Sequence, residues 1–335
     1  KRVLSLQSAL LFKIIMRIII YLFCVAFIVF TGCKSDDGPV PFIKTVSCTD
    51  GIMNGNETGT DCGGDCNPCT TASCDDGILN GNETKVDCGG DCNPCIDGVI
   101  IPSSGYQAPN SYGGYSLSWS DEFNENRLNT SKWNYNTGDG CPSLCGWGNS
   151  ELQKFTNSNE NLYFKEGNLI IEAKSGANQY TSSRINTDNK FEFIYGRIDI
   201  RAAMPSVPGI WTALFLLNRN YSISNPGAYW PSGGEIDIME YLGENHDNIL
   251  GTAHYGTDFP NNWHFNSVNY SSQNGESFNE VYYVFSIIWE KNKITWLVNN
   301  VVYHTMTPET TSAKGQPYPF NDKFYLIFAL SVGGN

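Results

Sequence analysis

Three carboxylates, Glu235, Asp237 and Glu240, stand close together in the segment Gly234-Glu-Ile-Asp-Ile-Met-Glu240. Their neighbours are apolar and β-forming, so a strand is predicted, and side chains along a strand alternate between its two faces. Glu235 and Asp237 then share one face while Ile236 and Ile238 point into a core. Strict alternation puts Glu240 on the isoleucine face, where a carboxylate is costly to bury. A one-residue bulge between Asp237 and Glu240 returns it to the acidic face, a re-aiming that bulges often provide beside active sites. With no Lys or Arg nearby in sequence, the three groups repel one another and at least one pKa rises. One ionised and one protonated carboxyl is what hydrolysis of a glycosidic bond requires. The segment alone leaves two other readings open, a solvated acidic face and a calcium site. With the bulge, Glu235 and Glu240 stand about four steps apart, roughly 13 Å between Cα atoms at ~3.3 Å per residue. Glutamates leaning together cover ~4 Å each and leave roughly 5 Å between carboxyl groups, the spacing of retaining rather than inverting enzymes.

The elements that would position these groups are short and β-rich. From about Tyr112, apolar runs separated by turn residues dominate, the clearest being 168–174, 197–203, 281–290, 294–299 and 324–333. Long helical periodicity is missing, which points to an all-β antiparallel sandwich or barrel and away from a parallel α/β sheet. No Gly-x-Gly-x-x-Gly, Walker-type or His-Glu-x-x-His sequence supports nucleotide or zinc-peptidase chemistry. Of 335 residues, 41% are hydrophobic, 13% aromatic and 16% charged, a balance opposite to that of disordered chains. The net charge of -13 argues against a nucleic-acid partner, which needs a basic surface. The 18 Phe, 18 Tyr and 8 Trp with 33 Gly fit either aromatic packing in a β-core or rings on which sugars stack.

The N-terminal third reads differently. Residues Ile18 to Phe30 form an uncharged apolar run preceded by Arg17, shorter than the ~20 residues a spanning helix needs. Phe30-Thr-Gly-Cys33 followed by Lys34-Ser-Asp-Asp37 resembles a bacterial lipoprotein signal of Bacteroidetes surface-export type. Lipidation of Cys33 and an outer-membrane, cell-surface location are therefore expected, an uncleaved anchor being the alternative. Met16 is the expected true start, so residues 1–33 read as signal and 34–47 as linker. Two units then repeat every 26 residues, with cysteines at Cys48, Cys62, Cys66, Cys69 and at Cys74, Cys88, Cys92, Cys95. In an exported chain this pattern predicts disulfides, four cysteines allowing three connectivities per unit. Zinc is the rival reading, and Asp50, Asn54, Asn56, Glu57 and Asp61 offer oxygen ligands for calcium without matching an EF-hand loop. Residues 48–95 are expected to act as a stiff spacer, 96–111 as a linker and 112–335 as the catalytic domain.

Glu-Ile-Asp-Ile-Met-Glu240 closely resembles the catalytic signature of glycoside hydrolase family 16 in its bulged form. Further matches are Asp121-Glu-Phe123, Gly146-Trp-Gly-Asn-Ser-Glu-Leu-Gln153, Gly167–Ile171, Tyr180–Arg184, Tyr195–Arg201, Gly209-Ile-Trp211, Gly251–Gly256 and Ser331–Asn335. The Trp230-Pro-Ser-Gly-Gly lead-in and the Gly-Trp-Gly-Asn loop look most like laminarinases. The resemblance implies a concanavalin A-like jelly-roll sandwich with an open sugar cleft, and an endo-acting, retaining β-1,3-glucanase. It implies Glu235 as nucleophile, Glu240 as general acid/base and Asp237 as the group that tunes Glu235. Trp211 and Trp230 become stacking platforms, and Asn149, Glu151 and Arg184 match positions near sugar hydroxyls on the glycone side. His254 falls near the acid/base, with a structural histidine as equal competitor. Thr212 and Phe215 stand where the family often has Pro and Trp, a change expected to alter a distal subsite. Family members continue past Gly333-Gly-Asn335 to a closing strand with a calcium-associated aspartate, so a C-terminally truncated fragment is expected. Cys141 and Cys145 are expected to form a local disulfide at the cleft rim. No cofactor is expected for catalysis, structural calcium is compatible, and no metal ligand is assigned. The expected partners are a β-glucan substrate and, through the lipid, a membrane; the chain is expected to be a monomer. Other polysaccharides (mixed-linkage glucan, agarose, porphyran, carrageenan), transglycosylation and a non-catalytic glucan-binding role remain alternatives.

Overall fold

The computed structural model describes residues 48–49, 55–57, 63–67, 98–177, 179–273 and 276–334. The chain divides into two units, 1–98 and 99–335. In the first, Cys48 is bonded to Cys66. The remaining repeat cysteines and Cys33 lie outside the described residues.

The second unit is built on two antiparallel sheets. The larger runs β1 (Asn134–Asn136), β7 (Arg184–Asn186), β17 (Phe324–Val332), β10 (Ile210–Asn218), β11 (Glu235–Leu242), β12 (Asn248–Asp258) and β13 (Asn262–Ser271), with β8 (Glu192–Phe193) also on β17. The smaller runs β16 (Val301–Met306), β15 (Lys293–Val298), β14 (Tyr283–Glu290) and β9 (Gly196–Ala202). Two small sheets, β2 (Gln153–Phe155) with β6 (Tyr180–Ser182) and β5 (Lys174–Ser175), and β3 (Leu162–Lys165) with β4 (Asn168–Ile171), complete it. The α-helix of the second unit, Pro308–Ser312, is five residues long. Each strand anticipated from the apolar runs is present, and the antiparallel two-sheet architecture agrees with the expected sandwich.

Alternation explains how β17, in the middle of the large sheet, buries both of its faces. Along β17, Phe324, Leu326 and Phe328 enter the core shared with the smaller sheet. Tyr325, Ile327 and Ala329 enter a second cluster with Trp147, Phe155, Phe215 and Leu217. A strand covered on both faces loses its polar alternation, hence the unbroken Phe-Tyr-Leu-Ile-Phe-Ala-Leu run. The main core joins Ile236, Ile238, Met239 and Tyr241 of β11 to Phe285, Ile287, Trp289 and Trp296 of the smaller sheet. Fully burying each such side chain stabilises by roughly 1.5–3 kcal/mol.

The unit begins earlier than the composition indicated. Tyr106 donates its N–H to the Tyr282 carbonyl at 2.8 Å, and Tyr282 donates to Ser104 at 3.0 Å. Arg201 Nε donates to the Tyr106 carbonyl at 2.9 Å. Residues 99–111, expected as linker, thus contain a strap hydrogen-bonded to the catalytic unit. Backbone pairing depends on no side-chain pattern, so the Pro, Ser and Gly content concealed it.

Candidate active site

The bulge is present, and both neighbours of β11 register it. Against β10, Met239 pairs Leu214 and Asp237 pairs Phe215, so Ile238 is the extra residue. Against β12, Asp237 pairs Thr252 and Glu240 pairs Leu250. Glu235, opposite Leu217, and Glu240, opposite Ala213, are therefore four pleat steps apart on their neighbour, and both project from the face away from the main core. Trp296, in the smaller sheet, donates its indole N–H to the Asp237 carbonyl at 2.8 Å and tethers the bulge from beneath.

Around the carboxylates the partners differ. Trp230 Nε1 donates to Glu235 Oε2 at 2.7 Å. The turn that brings Trp230 over Glu235 needs Gly234, whose φ is +80° and whose Cβ would stand 2.8 Å from the Phe320 ring. Asp237 is 2% exposed. His254 Nε2 lies 3.2 Å from Asp237 Oδ2, but that oxygen has no aligned hydrogen bond, so the contact is one of charge and polarity. Trp263 donates its indole N–H to His254 Nδ1 at 3.2 Å, which places the ring proton on Nε2, facing Asp237. Glu240 Oε2 accepts from Thr252 Oγ1 at 3.2 Å, and that hydroxyl is 2.9 Å from Ser267 Oγ.

All three carboxyl groups are shifted upward. Burial pushes Glu235 up to about 8, the charge of Asp237 adds to the rise, and the Trp230 hydrogen bond opposes it. Asp237 is raised well above the usual range by burial and then by Glu240. Glu240 is raised by burial, with the Thr252 and Trp211 donors pulling the other way. The cluster therefore retains protons at neutral pH. For attack on a sugar, Glu235 must release its proton, and the Trp230 N–H favours that ionised form. Glu235, Asp237 and His254 also approach within the 4.8 Å at which a metal could bridge them. The Trp230 indole N–H aimed at Glu235 is a donor that a cation would repel, so the set fits proton chemistry better. Cys48 and Cys66 also lie near Glu57, but their disulfide leaves them no thiolate to offer.

The other anticipated residues are placed as follows. Trp211 is half-buried on β10, its ring against Gly334. Arg184 is buried on the cleft side of β7, its guanidinium 4.7 Å from the Trp147 ring and 5.3 Å from Phe215. Glu151 accepts from Gln153 Nε2 at 2.6 Å and, at 3.5 Å, from Asn149 Nδ2. Cys141 and Cys145 are bonded, just before the Gly146–Asn149 turn that seats Trp147. One expectation needs correction. Phe215 is no distal group: it is buried in the cleft floor directly opposite Asp237. Thr212 falls on the core-facing side of β10, opposite Tyr241, so it cannot line a subsite. Thr252, Trp263 and Ser267 were not anticipated; they are uncharged and reach the site only through the register of β11 with β12 and of β12 with β13.

A sheet face carrying two glutamates four steps apart on the neighbouring strand, with a third carboxylate between them and the Trp230 indole on Glu235, defines a site for cleaving glycosidic bonds. Residues 148–335 match Glycosyl hydrolases family 16, and the chain belongs to that family. It is 38% identical over 250 residues to "Glucan endo-1,3-beta-glucosidase A1" of Niallia circulans, covering 70% of this chain and 36% of that protein. It is 36% identical over 233 residues to "Beta-glucanase" of Rhodothermus marinus, covering 66% of this chain and 76% of that one. Among solved structures, the laminarinase catalytic domain of Thermotoga maritima superposes with a TM-score of 0.58 at 35% identity, covering 66% of this chain and 88% of the other. The chain thus spans about a third of the Niallia circulans protein's length.

Proposed function

We propose that the protein is an endo-acting, retaining β-1,3-glucanase with Glu235 as nucleophile and Glu240 as acid/base. The observation that carries the mechanism is the bulged β11, which holds the two glutamates four pleat steps apart on one face. Glu240 gives its proton to the glycosidic oxygen as a Glu235 oxygen bonds to the anomeric carbon. The bond to the leaving oxygen breaks and that oxygen keeps the electron pair. Glu240, now ionised, takes a proton from water; the resulting hydroxide displaces Glu235 and the sugar leaves with its original configuration. Proton NMR in the first minutes of laminarin hydrolysis should show the β-anomer first, and an initial α signal would refute the assignment.

A neutral glucan fits the cleft better than a sulfated galactan. Strands β10 to β13 contain no Lys or Arg, and Arg184 is sandwiched between rings. A sulfated chain would meet three carboxyl groups with no cation beside them. Retention of all three carboxyl groups favours an enzyme over a binding protein on the same fold. Product analysis on laminarin, mixed-linkage glucan, agarose, porphyran and carrageenan tests both points; turnover of a sulfated substrate alone would reverse the first, and turnover of none would reverse the second. We further propose that catalysis needs no cofactor, so a chelator that abolishes kcat without lowering Tm would contradict this. Export with a lipid on Cys33 is likewise our proposal, and fatty-acid labelling that persists in Cys33→Ser would overturn it.

A further inference from the structure

The cleft face of the large sheet does not end at the carboxylates. Straight across the strands from Glu235 stand His254 on β12 and then Phe265 on β13. Phe265 is 56% exposed and Phe259, in the β12–β13 turn, is 52% exposed. Both rings are anchored from behind rather than isolated. Trp263 lies 5.5 Å from each, and Trp230, which holds Glu235, lies 5.2 Å from Phe259 and 5.8 Å from Trp263. A contiguous row of rings left open on a polar protein marks a binding surface. On the same face of β13 follow Ser267 and Asn269, hydroxyl and amide groups suited to sugar hydroxyls, and the strand carries no Lys, Arg, Asp or Glu.

We infer that Phe265 and Phe259 form a stacking platform for pyranose rings of a neutral β-glucan beyond the two that flank the scissile bond. The inference rests on the glucanase reading above. Phe265 is two strands from Glu235, roughly 10 Å at ~4.8 Å per strand, which is the reach of about two sugar rings. A flat ring under a pyranose C–H face covers apolar area without hydrogen-bond demands, and the open position of Phe265 lets a chain slide over it. Trp263 is half-buried, its N–H given to His254 and its ring stacked on the imidazole, so Phe265 and Phe259 are the more open rings. The platform makes turnover depend on chain length, with longer glucans gaining an anchor that short ones cannot reach.

The test is kcat/KM on β-1,3-gluco-oligosaccharides of about two to seven units, with wild type, Phe265→Ala, Phe265→Trp and Phe259→Ala. Phe265→Ala should lower kcat/KM about tenfold on the longest oligomer, the upper end of an aromatic contact's worth. It should match wild type within about twofold on the shortest oligomer cleaved, which also shows that the variant is folded. Phe265→Trp should restore the long-chain gain, and Phe259→Ala should lose part of it. An equal loss at every length, or no loss on the longest, overturns the platform. A wild-type protein that cleaves none of the series but another polysaccharide overturns the glucanase reading, and with it the glucan as the platform's occupant.

Discussion

Replacing Glu235 by glutamine should stabilise the protein, and by an amount that grows with pH. In the fold, burial and then the neighbouring Asp237 charge hold Glu235 up at about 8, whereas a glutamate in an unfolded chain titrates near ~4.3. Between those values the folded state keeps a proton that the unfolded state has released. Stability therefore falls as pH rises through this window, by up to ~1.4 kcal/mol per pH unit. At pH 7 the accumulated cost is about 3 kcal/mol relative to pH 4. Glutamine carries no charge to desolvate; its carbonyl can accept the Trp230 N–H and its amide can donate to Asp237. For a unit of this size ~1 kcal/mol moves Tm by roughly 2–4 °C, so a gain of about 6–12 °C is expected at pH 7. Thermal melts of wild type and Glu235→Gln from pH 4 to 8.5 measure it. The two curves should coincide near pH 4 and separate steadily above it. A pH-independent offset, or a less stable variant at pH 7, would show that Glu235 is not the buried, proton-holding group described here.

Glu240→Gln should lower kcat on laminarin by at least ~100-fold, with a smaller loss on substrates whose nitrophenol leaving group needs no proton; equal losses on both would argue against its role as acid. Trp230→Phe removes the donor that favours ionised Glu235, so the acid limb of the kcat/KM profile should move to higher pH; an unmoved limb would separate Trp230 from Glu235. Thr252→Val removes a donor that favours ionised Glu240, so the basic limb should also move up, and Thr252→Ser should restore it. Gly251→Ala would drive a methyl into the Tyr303 hydroxyl and to 2.8 Å from Trp296 Cδ1, costing about 1–3 kcal/mol in a denaturant titration.

Much of this site could be read along a single strand. Alternation placed Ile236 and Ile238 inside, and the cost of burying Glu240 demanded a bulge, which lies where that argument put it. The parts that escaped depend on pairing between strands. Trp263, Thr252 and Ser267 act through the hydrogen bonds they make across β11, β12 and β13, and no local periodicity encodes that register. β13 itself reads Asn-Trp-His-Phe-Asn-Ser-Val-Asn-Tyr-Ser, too polar to announce a strand, because an edge strand in an open cleft keeps its side chains half-exposed. Phe215 was misplaced for a related reason: a motif comparison gives its place in the chain, while only the β10–β11 register sets it against Asp237.

The bulge also bears on how this gene can change. Ile238 is the one residue of β11 without a counterpart on β10, so the pairing of everything after it does not depend on its codon. Losing that codon in frame would leave a regular strand of nearly unchanged composition. Met239, already in the core, would then take the core-facing place of Ile238, and Glu240 would stay in the sugar cleft two residues after Asp237. A substitution that puts a charge at Ile238 would bury it in the core and so cost more than loss of the residue. Lineages that keep the activity should include strands with and without a residue at this position, the three carboxylates alternating regularly where it is missing.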